Sequence, residues 1–332
     1  MAESRLRELS PGYEWVPCDL CGADDADISL HGGRDLSHGC QGVFSVVRCR
    51  VCGLRYLNPR PDARTIAEYY PREYLPHNPG EFPASGGSAK AALRAASRLP
   101  YRLRFGDPPA MPPPPARGAS LLDLGCGAGG FLTQAAKAGW DVYGIEPDPA
   151  AAAVAREAVG EASRITIGTA DDARLEREQF DCITMWHVLE HVHGPMWVVR
   201  GAYTALRPGG VLRIGVPNAE SAEARLFGRR WQPLELPRHL YHFTPKTLSQ
   251  YLRCAGFVNI RVVPAWFPSS ISDSIDYLIE DLIGRRWRRP DHWATYYLTA
   301  PIASLSYVLG NAGIVNVTAV KPQATAQRRH AA

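Results

Sequence analysis

Leu121-Leu122-Asp123-Leu124-Gly125-Cys126-Gly127-Ala128-Gly129-Gly130 decides how the rest of the chain reads. An apolar run of strand length, Ser120–Leu124, ends in a cluster of glycines, and an amphipathic stretch, Phe131–Ala138, follows at helical period. Glycine has no Cβ, so such a turn brings backbone N–H groups close to a ligand without a clash. Strand, glycine turn and helix together predict a site for a nucleotide-type ligand. Gly125, Gly127 and Gly130 also satisfy the dinucleotide spacing G-x-G-x-x-G, which keeps an NAD(P)-dependent oxidoreductase as a rival. Two carboxylates speak against it. Asp123 ends the strand, where it repels a pyrophosphate and suits an ammonium group. Glu146 ends the next apolar run and is placed to accept ribose hydroxyls.

Outward from the loop, short apolar runs alternate with amphipathic stretches, the pattern of an α/β parallel sheet. Strands are predicted at 120–124, 141–145, 164–168, 181–186, 210–216, 257–263 and 314–320, with helices between them such as 150–159 and 245–255. The alternation covers 119–322 and is interrupted at 265–313, which predicts a helical insertion or lid. Residues 61–118 read as a linker, with a helix at Ser88–Leu99 and a stiff run from Pro112 to Pro115. The polar tail 323–332 reads as disordered. Charge is mild, +4 over 332 residues, and calls for no nucleic-acid partner. The start, MAESRLRELS, has no apolar core and no later run is long enough to span a bilayer. The chain therefore reads as cytoplasmic, with nothing to fix its oligomeric state.

The stretch from Ser120 to about Val263 resembles the class I S-adenosylmethionine-dependent methyltransferases, which have a Rossmann-like seven-stranded sheet. LLDLGCGAGG resembles their first motif, YGIEPDPAA the second and IGTADDA the third. FDCITMWHVLEHV resembles the segment after their fourth strand, and ALRPGGVLRIGVPN the turn into the fifth. The resemblance implies that Asp123, Gly125, Cys126, Gly127, Gly129 and Glu146 hold S-adenosylmethionine, with Ala170 and Asp171 beside its adenine. It also implies that Ile314–Val320 runs antiparallel to its neighbours. A non-catalytic module that keeps the cofactor fold is the remaining rival.

Residues 1–60 hold five of the eight cysteines. Cys18-x-x-Cys21-Gly22 and Cys49-x-x-Cys52-Gly53 are two knuckles whose four thiolates suit tetrahedral, structural Zn²⁺. His31, His38 and Cys40 lie between them as alternative ligands. A cysteine module ahead of this domain resembles bacterial small-molecule methyltransferases, including deoxysugar C-methyltransferases. That resemblance implies a sugar or glycan-precursor acceptor.

Methyl transfer needs alignment and a base with a pKa near neutral, which points to histidine. His187 and His191 are spaced to share one face if their segment turns helical, and His187 is a candidate base. PRHLYHFTPKTL resembles the stretch carrying the base of the sugar C-methyltransferases, and His239 falls on that residue. Leu236 stands where those enzymes have a tyrosine. Thr244 reads as a helix cap. Arg285, Arg286, Arg288 and Arg289 surround Trp287, a pattern that also fits a lipid-linked or quinone-like acceptor at the inner face of a membrane.

Overall fold

The computed structural model describes residues 11–71, 103, 114–160, 164–265, 267, 269–285, 299 and 302–323. The expected helix at 88–99, most of the basic cluster and the tail beyond Gln323 lie outside the described residues.

The first elements are short and antiparallel. β1 (Tyr13–Glu14), β2 (Ala26–Gly33), β3 (Phe44–Cys49), β4 (Arg55–Leu57) and β5 (Arg60–Pro61) make up the cysteine module. β2, β3 and β4 form a meander, and β1 pairs with β5. Few strands here bury two faces. The module is closed instead by sharing a core: Phe44, Val46, Leu54, Tyr56 and Leu57 join Leu236, Leu240 and Tyr241 in one continuous apolar cluster.

The α/β domain then proceeds through β6 (Ser120–Leu124), α1 (Gly130–Lys137), β7 (Asp141–Glu146), α2 (Pro149–Val159), β8 (Arg164–Ile167) and β9 (Phe180–Trp186). It continues with α3 (Pro195–Ala205), β10 (Leu206–Pro217), α4 (Ala222–Phe227), β11 (Tyr241–His242) and α5 (Pro245–Ala255). The last described elements are β12 (Val258–Ala265), α6 (Ser269–Ile283) and β13 (Ile314–Val320). Seven strands form one sheet in the order β12-β13-β10-β9-β6-β7-β8. β6 to β10 are parallel and β13 runs antiparallel to both β10 and β12, as the resemblance implied. The strand order turns between β6 and β9, which puts the ligand crevice outside their carboxyl ends.

β6 and β13 occupy the expected residues because each is a short, mostly apolar run that ends at a glycine turn or just short of a proline. β10 starts earlier than expected, at Leu206, with a register break before Val211. Thr244 caps α5 as predicted: it accepts from the Thr247 amide at 3.1 Å while Thr247 Oγ1 accepts from the Thr244 amide at 3.0 Å. The insertion before β13 is helical where described, and it packs Ile271, Ala303 and Tyr307 against Phe227 and Trp231. Among the described residues no helix is long and apolar enough to cross a membrane.

The module is not a separate bead. β11, which lies inside the α/β domain's sequence, is the fourth strand of the module's sheet, pairing Tyr241 with Tyr56 and His242 with Arg55. A two-residue strand carries no periodicity, so this junction has no sequence signature.

Candidate active site and cysteine centre

The loop after β6 is held by strand β7. The amides of Gly125 and Cys126 donate to the Ile145 carbonyl, and the Gly127 amide donates to Glu146 Oε2 at 2.8 Å. Glu146 Oε1 accepts from the Asp148 amide at 3.0 Å, so this carboxylate is fixed at the mouth of the loop. Gly125 has φ +72°, and a Cβ there would fall 2.4 Å from Val188 Cγ2. Only glycine lets the segment after β9 close onto the cofactor loop. Cys126 contributes backbone alone, since its side chain is buried with Leu132, Ala152 and Ala155 under the sheet.

Asp123 is buried and accepts from Thr184 Oγ1 at 2.5 Å. Burial, reinforced by the charge of Glu146, pushes its pKa up to about 8 despite that bond. Two buried acids at the ends of adjacent strands, with no lysine or arginine from Leu121 to Ala136, form a place for a cation. The residues therefore fit a sulfonium cofactor with an α-ammonium group and oppose a pyrophosphate. Asp171 accepts the amides of His193 and Gly194 at 3.0 and 2.9 Å, which ties the expected adenine loop to the segment after β9. Ala170, beside it, packs on the main core.

That segment is not helical. His187 takes φ +55°, and a single turn closes from the His191 amide to the Val188 carbonyl. The helical segment on which a shared face for His187 and His191 depended is therefore not formed. The turn instead points Glu190 into the protein, where neither carboxylate oxygen has a hydrogen-bond partner. Its contact with His187 Nδ1, at 3.4 Å, is an ion pair. Burial disfavours charge on both groups, but their mutual attraction outweighs it: the His187 pKa lies above its usual value and that of Glu190 below.

The loop before β11 meets this turn. Leu240 and Tyr241 donate their amides to the Glu190 carbonyl, at 2.8 and 3.2 Å, and the His191 and His239 rings meet edge-on with centroids 4.5 Å apart. His239 Nδ1 lies 2.8 Å from the Pro233 carbonyl, which only accepts, so Nδ1 carries the proton. Its Nε2 faces Glu235 Oε2 at 3.5 Å. Glu235 is buried, yet the His239 and His191 imidazoles and the Arg238 guanidinium hold its pKa down to about 2. Burial, with the His239 imidazole beside it, depresses His191 to about 4. The structure thus brings His187 and His239, proposed separately from sequence, into one cluster with Glu190, His191 and Glu235.

Arg238, entirely buried, anchors the cluster. It grips Asp35 through two bonds of 2.8 and 3.0 Å and donates to Glu235 Oε1 at 3.0 Å and to the Tyr69 carbonyl at 3.0 Å. Asp35 belongs to the module, 203 residues away in sequence. No local signal points to this pair, and sequence reasoning missed it together with Glu190 and Glu235.

The four cysteines come together as expected. Cys18 Sγ lies 3.4 Å from Cys52 Sγ and Cys21 Sγ lies 3.6 Å from Cys49 Sγ, with all four sulfurs within 4.8 Å of one another. A Zn–S bond of about 2.3 Å corresponds to a tetrahedral edge of about 3.8 Å, so the cage is the right size for zinc. Each knuckle turns on a glycine amide: Gly22 donates to the Cys18 carbonyl and Gly53 to the Cys49 carbonyl. Burial opposes a thiolate at Cys49, but the amides of Cys52 and Val51 aimed at it bring its pKa down to about 7. His31 bonds Ser45, and His38 and Cys40 sit in the loop around Asp35 and are not members of the cluster. Asp19, inside the first knuckle, accepts the Met196 amide and the Tyr251 hydroxyl at 2.9 Å each, tying the cage to α3 and α5.

Comparison with known proteins places these features. Residues 95–262 match the profile of a methyltransferase domain family. The chain is 32% identical over 154 residues to a ubiquinone biosynthesis O-methyltransferase of Cereibacter sphaeroides, covering 43% of this chain and 62% of that protein. It is 27% identical over 197 residues to the protein of the same name from Methylobacterium sp., covering 57% and 74%. The chain thus spans about six-tenths of the length of the first of these relatives. Among solved structures, it aligns with phosphoethanolamine N-methyltransferase 2 of Haemonchus contortus at 20% identity and TM-score 0.46, covering 73% of this chain and 62% of that one.

Proposed function

The chain belongs to this methyltransferase domain family, and from that premise we propose that it moves a methyl group from S-adenosylmethionine to a hydroxyl oxygen of a small acceptor. The observation that carries the proposal is the meeting of two structures at Val188. The cofactor loop is closed by the same turn that bears His187 and Glu190, so donor and base are adjacent. Asp123 would hold the ammonium group of the donor, Glu146 its ribose and the Ala170–Asp171 loop its adenine. The donor, when bound, supplies a methyl group on a sulfonium, which leaves as a neutral thioether.

The chain's own residues align the acceptor and take its proton. His187 is the more accessible histidine, its side chain 41% exposed against 5% for His239, and its ring sits 5.7 Å from that of Phe267. With Nδ1 facing Glu190, Nε2 is left to accept the hydroxyl proton as the oxygen attacks the methyl carbon in line with sulfur. His239 is the second candidate base.

The names of the similar curated proteins favour an oxygen and a quinone-like acceptor. The sugar or glycan acceptor implied by the cysteine module is the second reading, supported by the buried Arg238–Asp35 pair that makes the module part of the site's wall. A structural zinc ion in the Cys18, Cys21, Cys49 and Cys52 cage completes the proposal. The test is methyl transfer to a panel of polyhydroxylated phenols and nucleotide sugars, with His187→Ala alongside. The variant should lose about 10²-fold or more in kcat with S-adenosylmethionine affinity unchanged. Undiminished turnover would rule out His187 as base, and transfer to no hydroxylated compound would overturn the oxygen assignment.

A further inference from the structure

We propose that Glu190, His191 and His239 form a second metal site, distinct from the cysteine cage, which takes a first-row divalent cation. One donor atom of each lies within 4.8 Å of the other two. The three come from two segments fastened to each other by the Leu240 and Tyr241 amides on the Glu190 carbonyl, so the set is built into the fold and is not a chance of one loop.

The strongest sign is Glu190. It is fully buried, and neither oxygen has a hydrogen-bond donor. A carboxylate taken out of water without donors is strongly disfavoured unless a cation compensates. His187 touches it at 3.4 Å from the open side and leaves the inner lone pairs unserved.

The two imidazoles supply the complementary half. His239 Nδ1 is committed to the Pro233 carbonyl, and His191 Nδ1 to the Arg238 carbonyl at 3.2 Å and Tyr70 Oη at 2.9 Å. Metal-binding histidines are characteristically fixed this way, one ring nitrogen donating to a backbone carbonyl while the other offers its lone pair. Both Nε2 atoms are therefore left as acceptors, and that of His239 lies beside the buried Glu235 carboxylate. Glu235 Oε2, at 3.5 Å from His239 Nε2, stands ready as an auxiliary ligand. Two imidazoles and one carboxylate match borderline cations such as Zn²⁺, Mn²⁺ or Fe²⁺ and leave coordination positions open.

What the metal does rests on the function proposed above. An acceptor hydroxyl bound at an open position loses its proton more readily, and His187 at the rim receives it. A metal there makes His239 a ligand rather than the base. Occupancy itself is independent of the acceptor, which makes the two claims separable.

The test uses the full chain with its cysteine cage already loaded with zinc, titrated with Co²⁺ and followed by visible absorption. One equivalent should bind saturably, giving ligand-field bands of a nitrogen and oxygen site without the near-ultraviolet thiolate charge-transfer band. Glu190→Gln and His239→Gln should each weaken Co²⁺ binding at least tenfold, while His187→Ala should retain it. Glu190→Gln preserves shape and removes a buried charge, so it keeps the test valid should a histidine variant fail to fold. Absence of saturable uptake, uptake marked by thiolate bands, or uptake that survives Glu190→Gln would each overturn the site. Co²⁺ uptake as described, together with no methyl transfer to any hydroxylated compound, would keep the site and refute the acceptor assignment. Transfer without uptake would do the reverse.

Discussion

Between Gly125 and Gly129 the chain makes its ligand cradle from backbone, with φ values of +72°, +53° and +79° at the three glycines and the one cysteine side chain turned away into the core. Between Cys18 and Cys52 the opposite holds: the backbone turns serve to aim four sulfurs, and the side chains make the site. The first arrangement leans on a seven-stranded sheet with extensive apolar cores of its own. The second has short strands, few buried residues of its own and a core completed by Leu236, Leu240 and Tyr241 from the other part of the chain. A cofactor site can therefore be lost without loss of the fold, whereas the cage and the fold around it stand or fall together.

Removing one sulfur should break this contrast most severely. Cys49→Ser should abolish zinc retention by elemental analysis and lower Tm by roughly ten degrees or more, since structural zinc supplies several kcal/mol to a small module. Because β4 pairs with β11 just after His239, turnover should fall with it even though no cysteine touches the donor. Unchanged Tm would mean that the shared core holds the module without metal.

The backbone site should fail differently. Gly125→Ala places a Cβ 2.4 Å from Val188 Cγ2 at a left-handed φ, and should weaken S-adenosylmethionine binding about tenfold or more while zinc content stays the same. Adding Val188→Ala relieves the contact but not the backbone strain, so rescue should be partial. Full rescue would show that crowding alone is at work.

The smallest effect separates charge from shape. Asp123 is an acid whose folded pKa, about 8, lies above its unfolded value of about 3.9. The folded state thus holds a proton that the unfolded state releases, and stability falls as pH rises from about 4 to about 8. Asp123→Asn removes that loss: the unliganded protein should gain a few degrees in Tm at pH 8 and little at pH 4, while donor affinity drops. A lower Tm at pH 8 would show that the ionised carboxylate is already compensated in the unliganded protein.

The same contrast explains what could be read in advance. The glycine loop and both knuckles were legible because each is contiguous and its chemistry follows from residue type and spacing. β6 and β13 were legible as short, mostly apolar runs. Whether the segment after β9 turns helical stayed open in the sequence, because i and i+4 spacing carries no sign of a left-handed residue at its start. Glu190 gave no signal, since its importance comes from burial without a donor. Arg238 and Asp35 are joined only by the fold, as are β11 and β4, and neither pairing leaves a periodic trace.

The central claim is that the buried acids around the glycine loop hold a sulfonium donor. Its most direct test is calorimetric titration of the zinc-loaded chain with S-adenosylmethionine, S-adenosylhomocysteine and the nicotinamide dinucleotides, repeated near pH 7 in buffers of different ionisation enthalpy. The account predicts saturable binding of the first two alone, with release of close to one proton as Asp123 ionises against the ammonium group. Binding of a dinucleotide in their place, or of none of the four, would contradict it.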